Sequence, residues 1–161
     1  MKFNHTNIEN IQINKVTDDI LLIHQVNTFS RFSCSDGLLI LPKDGRNTNV
    51  IAIDINIESK YVEIINEQYG PVSDYVNTHG HMDHIAHVYA WEQVGAKIHA
   101  PYPESNCLTD LKHFYESFEM QVLNDFSLIE QFAALNKYQP CKQVISFYPS
   151  DTLTFKNILM P

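Results

Sequence analysis

The feature of this 161-residue sequence that most constrains its fold is a change of hydrophobic period near Asn56. Before that residue, short runs rich in Ile, Leu and Val alternate apolar and polar positions, a pattern typical of strands with one buried face. These runs cover residues 8–16, 19–25, 37–41 and 50–55. Asp36-Gly37 and residues 43–47 carry the turn-forming residues that hairpin connections require. The first third of the chain therefore predicts an antiparallel meander.

After Asn56 the apolar residues recur at helical spacing as far as Tyr69, where Gly70-Pro71 supplies a C-terminal stop. The elements predicted next are a strand at residues 72–78, a helix at residues 84–94 and a strand at residues 97–100. Strands that alternate with helices between residues 50 and 100 predict an α/β layer with parallel pairing.

Residues 103–140 are predicted to be a helical insert, because the stretch is too long for a plain connection in such a unit. Two apolar stripes run along it, the first made of Leu108, Leu111, Tyr115 and Phe118 and the second of Val122, Phe126, Ile129 and Ala133. The stripes favour two amphipathic helices packed on the sheet, with a lid or a dimerisation surface as the alternative. Strand character returns at residues 143–148 and 152–155, and residues 1–161 are interpreted as a single domain.

The charge balance argues against several classes of partner. The chain has 11 Lys and Arg residues against 19 Asp and Glu residues, a net charge of −8, and no basic run. We therefore expect neither nucleic acid nor an anionic membrane as its main partner. The chain has no long apolar span and no signal-peptide pattern, and its three widely spaced cysteines are interpreted as free thiols, so the sequence predicts a cytoplasmic protein.

Three imidazoles and a carboxylate are concentrated in residues 78–84, THGHMDH, where a predicted strand ends. Residues two apart in an extended loop face the same side, so His79, His81 and Asp83 can converge on one point. Gly80 lets the backbone bend between them. His84 opens the predicted helix, where the helix dipole favours a neutral imidazole. Imidazole and carboxylate ligands together suit zinc, and the carboxyl end of a strand is where α/β sheets place ligands.

Residues 74–101, DYVNTHGHMDHIAHVYAWEQVGAKIHAP, closely resemble the metal-binding strand, loop and helix of the metallo-β-lactamase-fold hydrolases. The meander and VIAIDI at residues 50–55 fit the same family. The resemblance implies an α/β (α+β) fold, the αββα sandwich in which two mixed sheets lie face to face with helices outside. It also implies one or two metals, Zn²⁺ with Fe or Mn as substitutes, and hydrolysis of thioesters, lactones, β-lactams or phosphodiesters.

Carried onto this sequence, the family motif gives His79 and His81 to a first metal and Asp83 and His84 to a second. The resemblance implies a metal-held hydroxide as the nucleophile, with Asp83 as the catalytic residue that accepts or shuttles its proton. Asp54 matches the aspartate of the family pattern, and its carboxylate could orient a ligand histidine. Its alternative is a structural role, capping the turn at the end of its strand.

Two departures from the family pattern affect the predicted site. The family's Asp-Thr-Gly is Asp54-Ile55-Asn56 here, which alters the turn beside the site. Later loops of the family supply further ligands, whereas none of His87, His99 and His113 matches a family ligand. We interpret His87 as structural or exposed, although it is within reach of Asp83, His99 as a core residue and His113 as solvent-facing. Two protein ligands per metal are fewer than a catalytic zinc site uses, so we expect the chain to be the amino-terminal half of such a hydrolase and a poor catalyst alone.

Two functions from different classes fit these features. The first is a metal-dependent hydrolase that acts on an ester-like, thioester, lactone or lactam bond of a small-molecule substrate. The alternative is a non-catalytic metal-binding or interaction module that retains the fold. Half of a sandwich leaves the inner face of its sheet without a partner, so we also expect a homodimer or other association through that uncovered sheet.

Overall fold

The two hydrophobic periods of the sequence correspond to two halves of one mixed sheet. The computed structural model describes residues 8–30, 32–42, 49–155 and 158–159. The strands of the main sheet are β1 (Ile11–Lys15), β2 (Ile20–Gln25), β3 (Gly37–Ile40), β4 (Val50–Ile53), β5 (Val72–Val76), β6 (Lys97–Pro101) and β7 (Ile145–Phe147), in that spatial order. Strands β8 (Thr154–Phe155) and β9 (Ile158–Leu159) pair with each other in a separate sheet. The strand predicted at residues 152–155 therefore lies outside the main sheet.

Strands β1 to β4 form the predicted antiparallel meander. Leu21, Leu39 and Ala52 are paired in register across β2, β3 and β4, and all three are buried. Alternation of apolar and polar residues fixes this register, because a slip by one residue would turn each apolar side chain to the other face. The turn predicted at residues 43–47 lies outside the described residues.

From β4 to β7 neighbouring strands run parallel, as the alternation of strands and helices predicts. Helix α1 (Ser59–Tyr69) connects β4 to β5 and ends at Gly70, whose φ is 101°. Helices α2 (Met82–Ile85) and α3 (Val88–Gln93) lie between β5 and β6. Trp91 of α3 is fully buried and its ring stacks on Tyr75 of β5 at 5.9 Å between centroids. Parallel pairing brings the carboxyl ends of β4, β5 and β6 to one edge of the sheet.

The single helix predicted at residues 84–94 is wrong in detail. Helix α2 begins two residues earlier, so His84 is its third residue rather than its first. The helix then breaks at Ala86 and His87 before α3 begins. The cause is a tertiary contact: the backbone N–H of His87 donates to the side chain of Asn56 at 2.7 Å instead of to the carbonyl four residues before it.

The predicted insert at residues 103–140 contains two α-helices, α4 (Leu111–Ser117) and α5 (Phe126–Leu135), and the two 3₁₀ turns Glu104–Leu108 and Met120–Leu123. Its second predicted apolar stripe is wrong at Val122, which is 85% exposed. Glu119 and Asn124, on either side of that turn, have φ values of 53° and 48°, and this left-handed backbone ends the helical run. Among the described residues, no helix combines the length and the apolar character needed to cross a bilayer.

The main sheet buries one face against the helices and supports a smaller apolar cluster on the other. On that second face Ile51, Val76 and Phe155 are buried, with further half-buried apolar side chains around them. Because Phe155 belongs to β8, the segment after β7 covers part of the face that the sequence left without a partner. Association of two chains through the rest of that face stays a prediction.

Candidate metal centre

The candidate metal-binding side chains lie at the carboxyl ends of two parallel neighbours, β4 and β5. Asp54 directly follows β4, His79 and His81 lie in the loop after β5, and Asp83 and His84 lie in α2. The last residues of β4 and β5 are paired in register, so the turn after β4 faces the loop after β5. The strand order is therefore what brings Asp54 next to a motif that is distant from it in sequence.

The three motif imidazoles pack against one another at this edge. The ring centroid of His79 lies 4.6 Å from that of His81 and 4.0 Å from that of His84. On the far side of His84, its Nε2 atom is 3.8 Å from Oδ2 of Asp83. His81 is exposed and the other three residues are half-buried, so the group is open to solvent on one side.

The tightest group in the described ranges consists of Asp54, His79 and His84. Each of these residues offers a ligand atom, and the three atoms all lie within 4.8 Å of one another. His81 and Asp83, which the sequence predicts as ligands, lie outside this group, and each is next to one of its members. The structure thus brings all five predicted residues together and places Asp54 nearer to the imidazoles than the motif alone suggests.

Asp54 is held in place by the residue that precedes the motif. Its Oδ1 atom accepts the backbone N–H of Thr78 at 2.9 Å, and its Oδ2 atom accepts the Thr78 hydroxyl. Its φ of 50° is unusual for a residue other than glycine, and Gly37 of β3 leaves room for the turn. A Cβ atom on Gly37 would overlap the backbone of residues 53–55. The position of this carboxylate is therefore fixed from two sides.

His84 lies between two carboxylates, and they raise its pKa. Burial lowers the pKa of His84, but the contact with Asp54 and the charges of Asp54 and Asp83 outweigh burial and raise it. Burial also raises the pKa of Asp54, yet its contacts with His84 and Thr78 leave that pKa lowered. The two carboxylates therefore act against the effect that the helix dipole is expected to have on His84. For His79, burial and then the charges of His84 and His81 lower the pKa.

The side-chain amide of Asn56 replaces one helical backbone hydrogen bond of the motif, the bond between residues 83 and 87. Its Nδ2 group donates to the carbonyl of Asp83 at 2.5 Å, and its Oδ1 atom accepts the N–H of His87 at 2.7 Å. In an unbroken helix those two backbone groups would bond to each other. Nδ2 also donates to the carbonyl of Ser33 at 2.9 Å, so a fully buried side chain connects the loop before β3 to the motif.

A second buried amide supports the same break. Nδ2 of Asn77, the residue after β5, donates to the carbonyl of His84 at 2.9 Å. Sequence reasoning missed both asparagines as site residues. The available signal was Asn56 itself, since it stands where the family pattern has glycine and so places a side chain at a turn that normally has none.

The three remaining histidines of the described chain after the motif have different surroundings. His87 is buried, and neither ring nitrogen has a hydrogen-bond partner among the described residues, so the contact with Asp83 that its spacing allows is not formed. His99 is paired with Asp74, with 2.9 Å between Nε2 and Oδ1. His113 lies on α4 with its side chain 47% exposed.

Three solved metallo-β-lactamases have folds similar to that of this chain. The enzyme from Pontibacter korlensis gives a TM-score of 0.55 at 16% identity, covering 91% of this chain and 57% of its own. The enzyme from Erythrobacter litoralis, with β-mercaptoethanol in its active site, gives a TM-score of 0.53 at 16% identity, and the match covers 94% of this chain and 57% of that enzyme. FIM-1 from Pseudomonas aeruginosa, in its mono-zinc form, gives a TM-score of 0.53 at 15% identity, and the match covers 89% of this chain and 54% of FIM-1. The chain therefore has part of the metallo-β-lactamase fold, and the predicted fold class is confirmed.

The chain spans between 54% and 57% of the length of these three proteins, so it contains part of their fold. Neither a protein-family model nor a curated protein matches the sequence.

We expect Asn56→Asp to weaken the fold around the motif. An aspartate still accepts the N–H of His87 but cannot donate, so the buried carbonyls of Ser33 and Asp83 lose their partner and face a carboxylate. Each buried polar group left unpaired costs ~1–3 kcal/mol, so with two carbonyls affected the free energy of unfolding should fall by at least about 2 kcal/mol. Urea denaturation of the two proteins measures the difference. The control is Asn66→Asp, which keeps the acceptor that this side chain offers to the N–H of Val72; equal losses in the two variants would contradict the role of Asn56.

We also expect His87 to make the fold sensitive to acid. Burial lowers the pKa of His87 from 6.5 to about 4; the charge of Glu58 raises it by a smaller amount, and the charge of Lys137 lowers it slightly further. The folded chain therefore binds fewer protons than the unfolded chain between these two values. Stability contributed by the neutral ring is complete above pH 6.5 and is lost as the pH falls towards 4, by about 3 kcal/mol in all.

The measurement is urea denaturation at several pH values, with His87→Leu as the matched variant. The leucine keeps the backbone N–H that Asn56 accepts and removes the titrating ring. The difference in unfolding free energy between the two proteins should shift in favour of the variant as the pH falls from 7 to 4. A difference that does not change over this range would contradict the assignment.

Proposed function

We propose that this chain binds a divalent metal, Zn²⁺ in the first instance, and serves the hydrolysis of an ester-like, thioester, lactone or lactam bond in a small molecule. The metallo-β-lactamase fold and the candidate metal-binding group support a metal-dependent hydrolase at the level of the superfamily. The more specific proposal rests on the surroundings of His84. A carboxylate lies beside each of its ring nitrogens, and the ring of His79 packs against the ring of His84.

The distance on the Nε2 side of His84 fits a shared metal better than a direct hydrogen bond. Nδ1 of His84 lies 3.6 Å from Oδ1 of Asp54, and Nε2 lies 3.8 Å from Oδ2 of Asp83. Both distances are too long for hydrogen bonds. The second distance is close to the ~3.4 Å that separates two ligand atoms of a tetrahedral zinc. Because an imidazole binds a given metal through a single ring nitrogen, Nε2 of His84 and Asp83 are the pair that would share it, and Asp54 lies on the other side of the ring. In addition, Nδ1 of His84 is buried and has no hydrogen-bond partner among the described residues.

The donor types also suit the proposed metal. Imidazole nitrogen and carboxylate oxygen are zinc ligands, and Fe or Mn are alternatives with the same ligand types. The FIM-1 neighbour was solved in a mono-zinc form, which supports zinc as the first metal to test. When bound, such a metal lowers the pKa of a coordinated water to about 7 and so supplies a nucleophile at neutral pH.

Each residue of the centre has a role in this proposal. His79, His81 and His84 hold the metal through ring nitrogens. Asp83, half-buried beside His84, either ligates the metal or accepts the proton of the attacking water at a carboxylate oxygen. Asp54 stays ionised because its pKa is lowered, and its two bonds from Thr78 keep it beside Nδ1 of His84. A carboxylate in that position fixes the orientation of a ligand imidazole.

We expect the motif histidines to control metal uptake. In the variant with His79→Ala and His81→Ala together, two of the three clustered imidazoles are lost, and retained zinc should fall to background after dialysis. The control is His113→Ala, which removes an exposed ring on α4 and should retain as much zinc as the wild type. Metal content per chain is measured by mass spectrometry of the dialysed proteins. Equal losses in the two variants would overturn the assignment of the site.

In a complete enzyme that contains this chain and the rest of the fold, we expect Asp83→Ala to reduce turnover while the protein stays folded. Loss of a general base or a proton shuttle lowers rates by about 10²–10⁴-fold, and loss of a metal ligand adds to this. The assay is a panel of thioester, lactone, β-lactam and phosphodiester substrates, with thermal unfolding as the test of folding.

Normal turnover in a folded Asp83→Ala chain would contradict the role of Asp83. Zinc binding without turnover on the panel by such a complete enzyme would instead favour the alternative function, a non-catalytic metal-binding or interaction module.

A further inference from the structure

We propose that Glu104, in the first 3₁₀ turn of the insert, is a positioning residue for the candidate metal centre. Its carboxylate holds the peptide between His79 and His81 so that both imidazoles stay on the same side of the loop. This inference rests on the proposed function, because it concerns how the chain presents ligands to a metal. It also gives the insert a role beyond packing on the sheet.

The contact that supports this role is between a side chain and the backbone of the motif. The N–H of Gly80 donates to Oε2 of Glu104, across 24 positions of sequence. Gly80 is the residue between the two histidines, so the direction of its N–H fixes the plane of the peptide that joins it to His79. Because a hydrogen bond to a backbone N–H is directional, its acceptor fixes the orientation of that peptide.

The fit around Gly80 shows that the insert packs directly on the loop. A Cβ atom built on Gly80 would lie 3.3 Å from Sγ of Cys107 and 3.4 Å from Cβ of Glu104. The φ of Gly80 lies outside the left-handed region, so the tight space beside Cys107 and Glu104, and not a special backbone angle, favours glycine here. The sequence suggested a different reason for this glycine, a tight bend of the backbone between the two histidines.

The 3₁₀ turn that carries Glu104 is itself well supported. Ser105 is buried and its hydroxyl lies 2.8 Å from that of Ser146, just after the start of β7. The carbonyl of Cys107 accepts the hydroxyl of Tyr138 at 2.8 Å. Further along the insert, the ring of Phe118 packs 5.1 Å from the ring of His81. Glu104 therefore acts from an anchored segment, as a group that must fix a ligand loop has to do.

The test separates the hydrogen bond of Glu104 from its charge. Glu104→Gln keeps an acceptor oxygen of the same reach and removes the charge. Glu104→Asp keeps the charge but shortens the side chain by one methylene, and Glu104→Ala removes both. Glu116→Ala is the matched control, because Glu116 is a half-exposed carboxylate on α4 of the same insert. Co²⁺ is the probe, and its affinity is measured by titration of the visible absorption of the bound ion.

We expect Glu104→Ala and Glu104→Asp to weaken Co²⁺ binding by about 10–100-fold, the range found when a group that orients metal ligands is removed. Glu104→Gln should stay within about threefold of the wild type, and Glu116→Ala should be unchanged. Hydrogen exchange of the Gly80 amide, measured without metal, should be faster in the alanine and aspartate variants. If the alanine variant does not fold, the aspartate and glutamine variants give the same comparison.

Wild-type affinity in the alanine and aspartate variants would overturn the positioning role and leave the proposed function standing. Weak binding by Glu104→Gln together with tight binding by Glu104→Asp would overturn it as well, since charge would then be the cause. A wild-type chain that binds no Co²⁺ would overturn the proposed function, and the positioning role toward a metal with it.

Discussion

The side-chain amide of Asn56 is the interaction on which the candidate centre depends. Asn56 lies just after β4. Its amide bonds to the carbonyl of Ser33 in the loop before β3, to the carbonyl of Asp83 in α2 and to the N–H of His87 before α3. A break in a helix normally leaves an N–H and a carbonyl without partners, which is costly when they are buried. Here the amide bonds to both the carbonyl of Asp83 and the N–H of His87, so the motif can end a helical turn early without leaving these two backbone groups unpaired. The orientation of His84 therefore depends on where β4 ends and places Asn56.

The order and type of most elements follow from local sequence. Alternation in the first third and the Gly70-Pro71 stop after α1 are local signals, and the meander and α1 form where these signals place them. The break between α2 and α3 has no such signal, because its cause is a side chain about thirty positions earlier in the chain. The same holds for Val122, whose spacing fits an apolar stripe but whose neighbours adopt left-handed backbone. Periodicity reports which residues suit a helix, and it does not report where tertiary contacts interrupt one.

The motif spacing predicts that His79, His81 and Asp83 lie near one another, since they are separated by single residues. It does not predict that Asp54 lies within hydrogen-bonding reach of Thr78, because that contact needs β4 and β5 to be parallel neighbours. Nor does it predict the bond from Gly80 to Glu104, which comes from a segment that the sequence presents only as an amphipathic insert. The ligands of the centre are thus visible in the sequence, whereas the residues that orient them depend on the strand order.

The change from antiparallel to parallel pairing at β4 has a consequence for the way in which the chain assembles. Strands β1 to β4 are joined in sequence order by hairpins, and such local contacts close at a lower entropic cost than contacts between distant segments. Strand β5 pairs with β4 only after α1 has crossed the sheet, and Asp54 and Glu104 each reach the motif across 24 positions. We therefore expect the meander to form early and to serve as the template for β5. The ligand loop would then be completed among the last events of folding, so a nascent chain would acquire its affinity for metal late.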